Sequence, residues 1–383
     1  MHRRTFLAAG GMAALGAAVG CATNPRPSTA VRRAPVRLVP VRVAWDRIIR
    51  NTVGLRPHRD SGFVLRAEKL GDALLIHNYG HGGAGMSISW GTGSMAADLA
   101  MDQPQRRAAV IGSGAVGLTT ARQLQRRGFD VTIFAMALPP FVTSSMSLAG
   151  YTPTSGLVER DRRTPQWDAQ YRRAADIAYR QLQLLAGTPY GVSWVDQYQP
   201  ATEIRPSESD AERLDIGPQP APDILERGEH PFPTRYAIRR TTLRIEPSIY
   251  LDALTRDFLL FGGRVVIRKF DTPRDLMSVD APVIVNCTGL GSRDLFGDAE
   301  LVPLKGQLTV LMPQSDVNYQ TSGGVNLPST PGIGIHMMPR SDGIVLGGTS
   351  QRGVWTMEPD EAERKRVVEG HIELFSRMRN QER

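Results

Sequence analysis

The segment from His77 to Gly91, with the sequence HNYGHGGAGMSISWG, constrains this chain more than any other. Glycine loses more backbone freedom on folding than any other residue, so a glycine-rich run is costly in an ordinary strand or helix. It is favoured where bare backbone must approach a ligand. Residues 95–100, which are small and mildly apolar, predict a short helix that ends near Leu99. A glycine turn before a helix presents unpaired N–H groups to an anionic or electron-rich ligand, although a flexible surface loop also fits this composition.

A second glycine-rich loop, Gly112–Gly117, lies in a pattern typical of dinucleotide binding. The sequence predicts a buried strand over residues 107–111, a helix over 118–127 and a second strand over 131–134. This is the order in which the G-x-G-x-x-G fingerprint occurs, with glycines for the tight turn, for the pyrophosphate and for close helix packing. The acid that usually follows the second strand and holds the ribose is replaced by Ala135-Met136, which argues against an ordinary NAD enzyme.

Alternating strands and amphipathic helices fill the rest of the chain and favour an α/β fold. The apolar segment 282–289 ends in a turn, where a parallel sheet meets a nucleotide. Residues 200–233, rich in proline and charge, predict surface loops. Further strands are predicted over residues 63–67, 73–77, 234–245, 264–270, 307–312, 334–338 and 344–346, and helices over 164–185, 250–260 and 359–378.

Composition excludes several classes of protein. The chain has 383 residues, 41% hydrophobic and 22% charged, which suits a globular protein with a sizeable core, built as two domains or as one large nucleotide-binding fold with an inserted lobe. Its net charge is +8, but the basic residues are scattered, so no nucleic-acid partner is expected. Cys21 and Cys287 are its two cysteines and form neither a disulfide framework nor a metal-ligand cluster, so no metal is expected.

The N-terminus has the features of a targeting segment. Arg3-Arg4 precedes an apolar stretch, residues 7–20, that is too short to span a bilayer permanently. The pair resembles a bacterial twin-arginine signal, and Cys21 resembles a lipoprotein cleavage site. We therefore expect a signal peptide over residues 1–21, transport by the twin-arginine translocase, a lipid anchor at Cys21 and a linker over residues 22–40. The expected location is exported, either periplasmic or in the cell envelope.

With both glycine loops in view, the chain resembles the family of FAD-dependent D-amino-acid oxidases, which includes D-aspartate oxidases. The matching pieces are His77–Gly91, Val110–Leu118, Val283–Gly289, Leu346–Thr349 and Gly54–Pro57. The resemblance implies an α/β fold with a Rossmann-like, doubly wound FAD-binding sheet and an antiparallel substrate-binding sheet. It also implies FAD as the cofactor.

The order of these pieces departs from the family. There the fingerprint begins the chain, and the elements at 54–57 and 77–91 close it; here the closing elements come first. This looks like a circular permutation joined at linker 101–107, which is tolerable because the termini of compact domains are often close together. A misassembled gene model is the alternative. The expected domains are a family C-terminal segment over residues 41–100 and, over 108–383, an FAD-binding domain interleaved with a substrate lobe at roughly 165–280 and 304–358.

The resemblance implies a hydride-transfer reaction in which the cofactor carries the chemistry. A D-amino acid gives the hydride on its Cα to FAD, the imine is hydrolysed to a 2-oxo acid and ammonia, and oxygen takes the electrons to form hydrogen peroxide. Arg56 matches the arginine that holds the substrate carboxylate, because a guanidinium fork fits a carboxylate. Arg59, three residues further along the chain, is the second candidate for this carboxylate-binding role. Gly83 matches the glycine whose carbonyl receives the substrate amine.

Two positions differ from the family. His336 stands where the family has a pocket tyrosine. It could hydrogen-bond a carboxylate, best when protonated, or it could be a core histidine that points elsewhere. The second tyrosine position, on a lid, falls near Gly332, and Tyr319 is the nearby phenol.

The implied cofactor contacts come from the fingerprint, the first glycine loop, a hydroxyl-rich turn and the adenosine side. For Thr143–Ser145 the residues alone favour a helix cap over a phosphate contact. The implied contacts are Gly112, Ser113, Gly114, Ala115, Val116, Gly117, Thr143, Ser144, Ser145, Gly150, Phe270, Thr288, Gly82, Gly83, Ala84, Gly85, Met86 and Ser87.

Three other functions fit the same residues. The substrate could be glycine, a sarcosine-like amine or a proline-like imino acid. The electron acceptor could be a quinone instead of oxygen, which would make the protein a dehydrogenase. The chain could also be an inactive flavin-binding lipoprotein of the envelope.

Overall fold

The computed structural model of this chain describes residues 34–204, 221–323 and 334–379. The predicted signal peptide, residues 1–21, lies outside the described residues, as do Cys21 and Gly332. None of the helices in the described ranges is long and apolar enough to cross a bilayer.

The described elements alternate between strands and helices. The strands are β1 Ile48–His58, β2 Val64–Leu70, β3 Ala73–Tyr79, β4 Arg107–Ile111, β5 Asp130–Ala135, β6 Val192–Ala201, β7 Asp223–Glu226, β8 Tyr236–Ile245, β9 Arg264–Ile267, β10 Val283–Asn286, β11 Val302–Leu311, β12 Tyr319–Ser322, β13 His336–Arg340, β14 Gly343–Gly347 and β15 Gln351–Arg352. The helices are α1 Gly85–Leu99, α2 Ala115–Gln125, α3 Pro165–Leu184, α4 Pro247–Leu260, α5 Pro273–Leu276, α6 Ser292–Phe296 and α7 Glu361–Ser376.

One sheet has the strand order β2-β3-β10-β4-β5-β9. From β3 to β9 every neighbouring pair is parallel, and only β2, at the edge, is antiparallel. Apolar residues of α1, α2, α3 and α4 form a core on one face, and residues of α5 and α6 pack on the other. A parallel sheet covered on both faces is the arrangement expected for a doubly wound α/β fold.

The second sheet is larger and mostly antiparallel. Its path is β1-β11-β14-β13-β12-β6-β8-β7, and β15 pairs with β11. The β12–β6 pair is parallel. Strand β1 therefore lies in this sheet, whereas β2 and β3, which follow it directly, lie in the other. Residues 48–79 thus join the two sheets, and this connection brings Arg56 near the glycine loop after β3.

Helix α1 begins earlier than the sequence predicts. The composition predicts a helix over residues 95–100, but α1 starts at Gly85 and includes Gly91. The prediction that these glycines avoid a helix is wrong because α1 is buried between other helices. A Cβ on Gly91 would lie 1.8 Å from the carbonyl oxygen of Ala174 in α3, so the close helix contact requires glycine there.

The predicted linker, residues 22–40, is packed against the protein at its C-terminal end. Val36 donates from its backbone N–H to the Glu229 carbonyl at 2.9 Å. Tyr319 Oη donates to the Val39 carbonyl at 2.8 Å, and Leu38 packs against an apolar core cluster. A free tether therefore does not extend to Pro40.

Candidate active site

A large cavity lies where the two glycine loops meet. Strands β3, β10 and β4 are parallel neighbours, so their carboxyl ends lie at one edge of the sheet. The glycine loop after β3 and the fingerprint after β4 both line a cavity of about 1170 Å³ at that edge. Ligands of open α/β sheets bind at this position. The volume exceeds the roughly 300–1,000 Å³ of ordinary small-molecule pockets, as a dinucleotide with a substrate beside it would require.

The fingerprint has the geometry of an anion cradle. Gly112 has φ +113°, and a Cβ there would lie 2.4 Å from the Cys287 carbonyl oxygen. The N-terminus of α2 faces the cavity, and Ser144 Oγ accepts the Ala115 N–H at 3.0 Å. Bare backbone and a helix N-terminus suit a pyrophosphate. These residues would hold the diphosphate of a dinucleotide cofactor.

Most of the predicted cofactor contacts line this cavity, and four do not. Gly117 lies behind the fingerprint, where a Cβ would meet the Gly112 carbonyl oxygen at 2.0 Å. Ala84 is fully buried as the residue before α1. Ser87 Oγ accepts the Thr152 N–H at 2.8 Å, and Ser145 is also absent from the lining. The lining residues among the predicted contacts are Gly82, Gly83, Gly85, Met86, Gly112, Ser113, Gly114, Ala115, Val116, Thr143, Ser144, Gly150, Phe270 and Thr288.

Two exposed apolar side chains lie at the nucleotide end of the cavity. Met136 and Phe141, which follow β5, line the cavity with exposures of 74% and 82%. Arg268, after β9, lines it as well and stacks on Phe270 with its guanidinium 4.5 Å from the ring centroid. The residue where an acid would hold the ribose is therefore an exposed methionine. The sequence indicated that the ribose-binding acid is missing, but it did not indicate that the Phe141 ring lies exposed in the cavity.

The first glycine loop is held between two other segments. Gly82 has φ +53°, and its N–H donates to the Pro57 carbonyl at 2.8 Å. Gly83 donates from its N–H to the Ser155 carbonyl at 2.8 Å. A Cβ on Gly82 would lie 1.7 Å from the Gly156 carbonyl oxygen. Only glycine permits this approach, so the loop is seated against β1 on one side and residues 152–156 on the other.

The two histidines of this loop are held neutral. Burial lowers the pKa of His81 to about 3, and its Nε2 lies 2.9 Å from Thr92 Oγ1. Burial also lowers the pKa of His77, against a hydrogen bond to Glu68 that raises it. Asn286 Nδ2 donates to His77 Nδ1 at 3.1 Å and so ties the ends of β3 and β10 together. The N–H groups of Gly82, Gly83 and Ala84 are all donated to backbone carbonyls, so the N-terminus of α1, rather than free N–H groups of the loop, supplies positive potential here.

Arg56 supplies a cation at the other end of the cavity. It is half-buried on β1, and burial lowers the pKa of its guanidinium, which stays charged. Its Nε donates to the Leu304 carbonyl at 3.1 Å and its Nη2 to Ser350 Oγ at 2.9 Å. Across the three described ranges no carboxylate pairs with it. A partly desolvated arginine without an acid is suited to an anionic ligand.

His336 lines the cavity near Arg56. Burial and the charge of Arg56 lower the pKa of His336 below its ordinary value. The Gly323 N–H donates to the Ile335 carbonyl at 2.9 Å and also lies 3.3 Å from His336 Nδ1, a contact that favours the neutral tautomer with its proton on Nε2. The ring is therefore neutral near neutral pH, and the expectation that it binds a carboxylate best when protonated applies at lower pH. A neutral imidazole can still donate one hydrogen bond.

Two alternative site residues are excluded by their contacts. Arg59 pairs with Asp298 at 2.8 Å and Glu300 at 2.5 Å, and it is absent from the cavity lining. Its Nη1 also donates to Ser61 and Gly62, so four of its five N–H groups are engaged by these partners. Tyr319 is 1% exposed, with its hydroxyl donated to Val39, and cannot replace a pocket tyrosine.

Several lining residues were given no role by the sequence. Ser350 holds Arg56, and Thr349 Oγ1 accepts the Gln307 N–H at 2.6 Å beneath the same end of the cavity. Arg366 and Glu363 of α7 form an ion pair at 2.8 Å at the wall. Leu148 and Leu308 supply apolar surface. In the sequence, only the matching piece that contains Gly347 and Gly348 indicated that this part of the chain lines the cavity.

Comparisons with known proteins agree with this geometry. Residues 107–383 match the family described as FAD dependent oxidoreductase. A D-amino acid oxidase from Dugesia ryukyuensis is 26% identical over 271 residues, which cover 68% of this chain and 75% of that protein. A D-aspartate oxidase from Homo sapiens is 28% identical over 267 residues, covering 68% and 73%. The crystal structure of iminodiacetate oxidase from Chelativorans sp. BNC1 has a TM-score of 0.51 at 19% identity, covers 71% of this chain and 79% of that one, and shows a shared fold.

Proposed function

Because this chain belongs to the family of FAD-dependent oxidoreductases, we propose that it catalyses the oxidative deamination of D-amino acids. The observation that carries the proposal is Arg56, a half-buried cation that lines the cavity and has no acid partner among the described residues. The curated relatives named D-amino acid oxidase and D-aspartate oxidase support the substrate class.

The residues on either side of the cavity define how such a substrate would be held. Arg56 binds the carboxylate through charge-assisted hydrogen bonds, and the neutral His336 donates a further one from Nε2. The Gly83 carbonyl accepts from the amine. FAD, when bound, supplies the acceptor for the hydride on the substrate Cα. With two ends of the substrate fixed, the orientation of Cα is set by the protein, and orientation is a large part of catalysis.

Turnover with enantiomer pairs tests this function. The FAD-loaded protein should produce 2-oxo acid and ammonia from at least one D-amino acid, and its L-enantiomer should react at least about a hundredfold more slowly. Oxygen uptake and reduction of a quinone analogue are measured side by side, because the electron acceptor is part of the proposal. Turnover of glycine or sarcosine with no reaction of any D-amino acid would contradict it.

Phe141 gives a prediction for cofactor affinity. An aromatic ring that is 82% exposed in the cavity can stack on the adenine ring of FAD, a contact worth about 1–3 kcal/mol. Phe141→Ser should therefore weaken FAD binding about tenfold in a fluorescence titration of the apoprotein. Leu184→Ser, at a residue 80% exposed and outside the cavity lining, is the matched control and should leave the Kd unchanged.

His336 gives a prediction for pH dependence. Its pKa is lowered from the ordinary 6.5, so the ring stays neutral above pH 6.5 and can gain a proton only below it. A bound carboxylate favours the protonated ring. The affinity for benzoate, followed by perturbation of the flavin spectrum, should therefore stay flat from pH 9 to 7 and rise about threefold to tenfold towards pH 5. His336→Gln keeps a donor without titrating, so its profile should stay flat; an identical rise in both proteins would refute the assignment.

We also propose that the chain is a permuted, exported member of its family. The family match begins at residue 107, whereas residues 48–99 form β1, β2, β3 and α1 within the same two sheets, which supports a permuted order. The mass of the protein purified from its source tests this order, and a chain without residues 35–100 would contradict it. Export through the twin-arginine translocase, with a lipid at Cys21, predicts recovery in the cell envelope; cytoplasmic protein of full length would contradict it.

A further inference from the structure

His58 is a buried histidine two residues beyond Arg56 on β1. It is 1% exposed and does not line the cavity. Its Nδ1–H donates to the Gly156 carbonyl at 2.9 Å, and its Nε2 faces Asp60 Oδ1 at 3.1 Å and Glu159 Oε1 at 3.4 Å. One imidazole thus connects β1 with the segment that contains Gly156 and Glu159.

A guanidinium completes this cluster. Arg352 of β15 contacts Asp60 at 2.5 Å and Glu159 at 3.5 Å. Ligand atoms of His58, Asp60 and Glu159 lie within 4.8 Å of one another, which is a spacing that metals use. Arg352 already supplies the positive charge between the two carboxylates, so the cluster is satisfied as an ion-pair network.

The sheet places this cluster beside the carboxylate anchor. Arg56 pairs with Leu304 of β11, and Leu304 pairs with Arg352 of β15, so the three residues form one row across the sheet. Paired residues of antiparallel strands point to the same face. Arg56 and His58, two residues apart on one strand, also share that face. Gly156 covers it, because a Cβ there would lie 2.7 Å from Leu304 Cδ1.

The Gly156 carbonyl that His58 holds is also the group against which the glycine loop is seated. A Cβ on Gly82 would lie 1.7 Å from this oxygen, and Ser155, the preceding residue, accepts the Gly83 N–H at 2.8 Å. A shift of Gly156 therefore moves the segment that supports Gly83. Nε2 of the same imidazole contacts Asp60 and Glu159, and Arg352 holds these two carboxylates in place by ion pairs.

We propose that His58 is a positioning residue, which sets the separation between the Arg56 guanidinium and the Gly83 carbonyl by fixing the Gly156 carbonyl to β1. The inference rests on the proposed function, in which these two groups hold the carboxylate and the amine of one substrate. It requires that a ligand with both groups loses more from a change at His58 than a ligand with a carboxylate alone. A displacement of about 1 Å in such a geometry can cost about a hundredfold in rate.

The test compares benzoate, which has a carboxylate, with anthranilate, which has an adjacent amine as well. Their dissociation constants are measured on FAD-loaded protein from the flavin spectrum, without turnover. In the parent protein anthranilate should bind about tenfold more tightly, or by about 1.4 kcal/mol, because its amine gains a hydrogen bond. In His58→Leu this advantage should disappear while benzoate binding changes less than about twofold. His58→Asn, which keeps a donor near the Nδ1 position, should restore it.

A matched control separates positioning from stability. His230 is a second histidine with 1% exposure, away from the cavity, and His230→Leu should leave the anthranilate advantage intact whatever its change in Tm. An unchanged advantage in His58→Leu, or equal binding of the two ligands by the parent, would overturn the inference. Failure of the proposed function is seen separately, as a parent protein that binds both ligands but converts no D-amino acid.

Discussion

Replacing Arg56 with alanine should raise the KM for a D-amino acid by about a hundredfold to a thousandfold. A carboxylate held by a guanidinium gains charge-assisted hydrogen bonds, each worth about 1.5–3 kcal/mol, and two such bonds at about 1.5–2 kcal/mol each account for that range. The change leaves no carboxylate unpaired among the residues that the structure describes, since Arg56 donates there to the Leu304 carbonyl and Ser350 Oγ. The fold should therefore be kept, with Tm close to that of the parent. Steady-state kinetics over a wide substrate range measure the effect.

Two further arginine variants make this result specific. Arg56→Lys keeps the charge but loses the planar fork, so its KM should lie between those of the parent and the alanine variant. Arg50→Ala removes an arginine from the same strand that pairs with Asp342 outside the cavity, and its kinetics should match the parent. An Arg56→Ala enzyme with unchanged KM would show that another group holds the carboxylate.

Replacing Gly82 with alanine should displace the glycine loop and abolish measurable turnover. The added Cβ would lie 1.7 Å from the Gly156 carbonyl oxygen, an approach that backbone atoms cannot relieve by a side-chain rotation. The φ of +53° adds a strain of about 1–2 kcal/mol for a residue with a side chain. We expect a loss of at least about 3 kcal/mol in the free energy of unfolding, or a folded protein whose loop has moved away. Chemical denaturation and flavin content distinguish these two results.

Gly128→Ala is the matched control for Gly82→Ala. Gly128 also has a positive φ, +81°, but no atom lies within 4 Å of the Cβ that alanine would add. It should therefore show the conformational strain alone, about 1–2 kcal/mol, with kcat unchanged. If both variants lost the same stability and kept the same activity, the close contact between Gly82 and Gly156 would be refuted.

Local sequence patterns predicted the elements that form the nucleotide end of the cavity. Strand, glycine loop and helix follow one another between Arg107 and Gln125, so their arrangement depends on neighbours in the chain. The family resemblance added that His77–Gly91 belongs to the same site. The parallel register of β3, β10 and β4 confirms that both loops lie at one sheet edge.

Contacts between distant segments could not be predicted in this way. His58 meets Gly156, which lies 98 residues further along the chain, and Arg56 meets Ser350 across 294 residues. The choice between Arg56 and Arg59 depended on acids that only the fold brings close, namely Asp298 and Glu300. The protonation of His336 depended likewise on its burial and on the field of Arg56. Such properties arise from packing and desolvation, which a motif does not encode.

Anaerobic reduction of the bound flavin is the direct test of whether this protein oxidises D-amino acids. FAD-loaded protein is mixed with single enantiomers of neutral, acidic and basic amino acids in the absence of oxygen, and the flavin absorbance is followed. At least one D-amino acid should bleach the flavin, its L-enantiomer should not, and Arg56→Ala should slow the bleaching at subsaturating substrate. Flavin that binds the protein but stays oxidised with every D-amino acid, or that only L-amino acids reduce, would contradict this expectation.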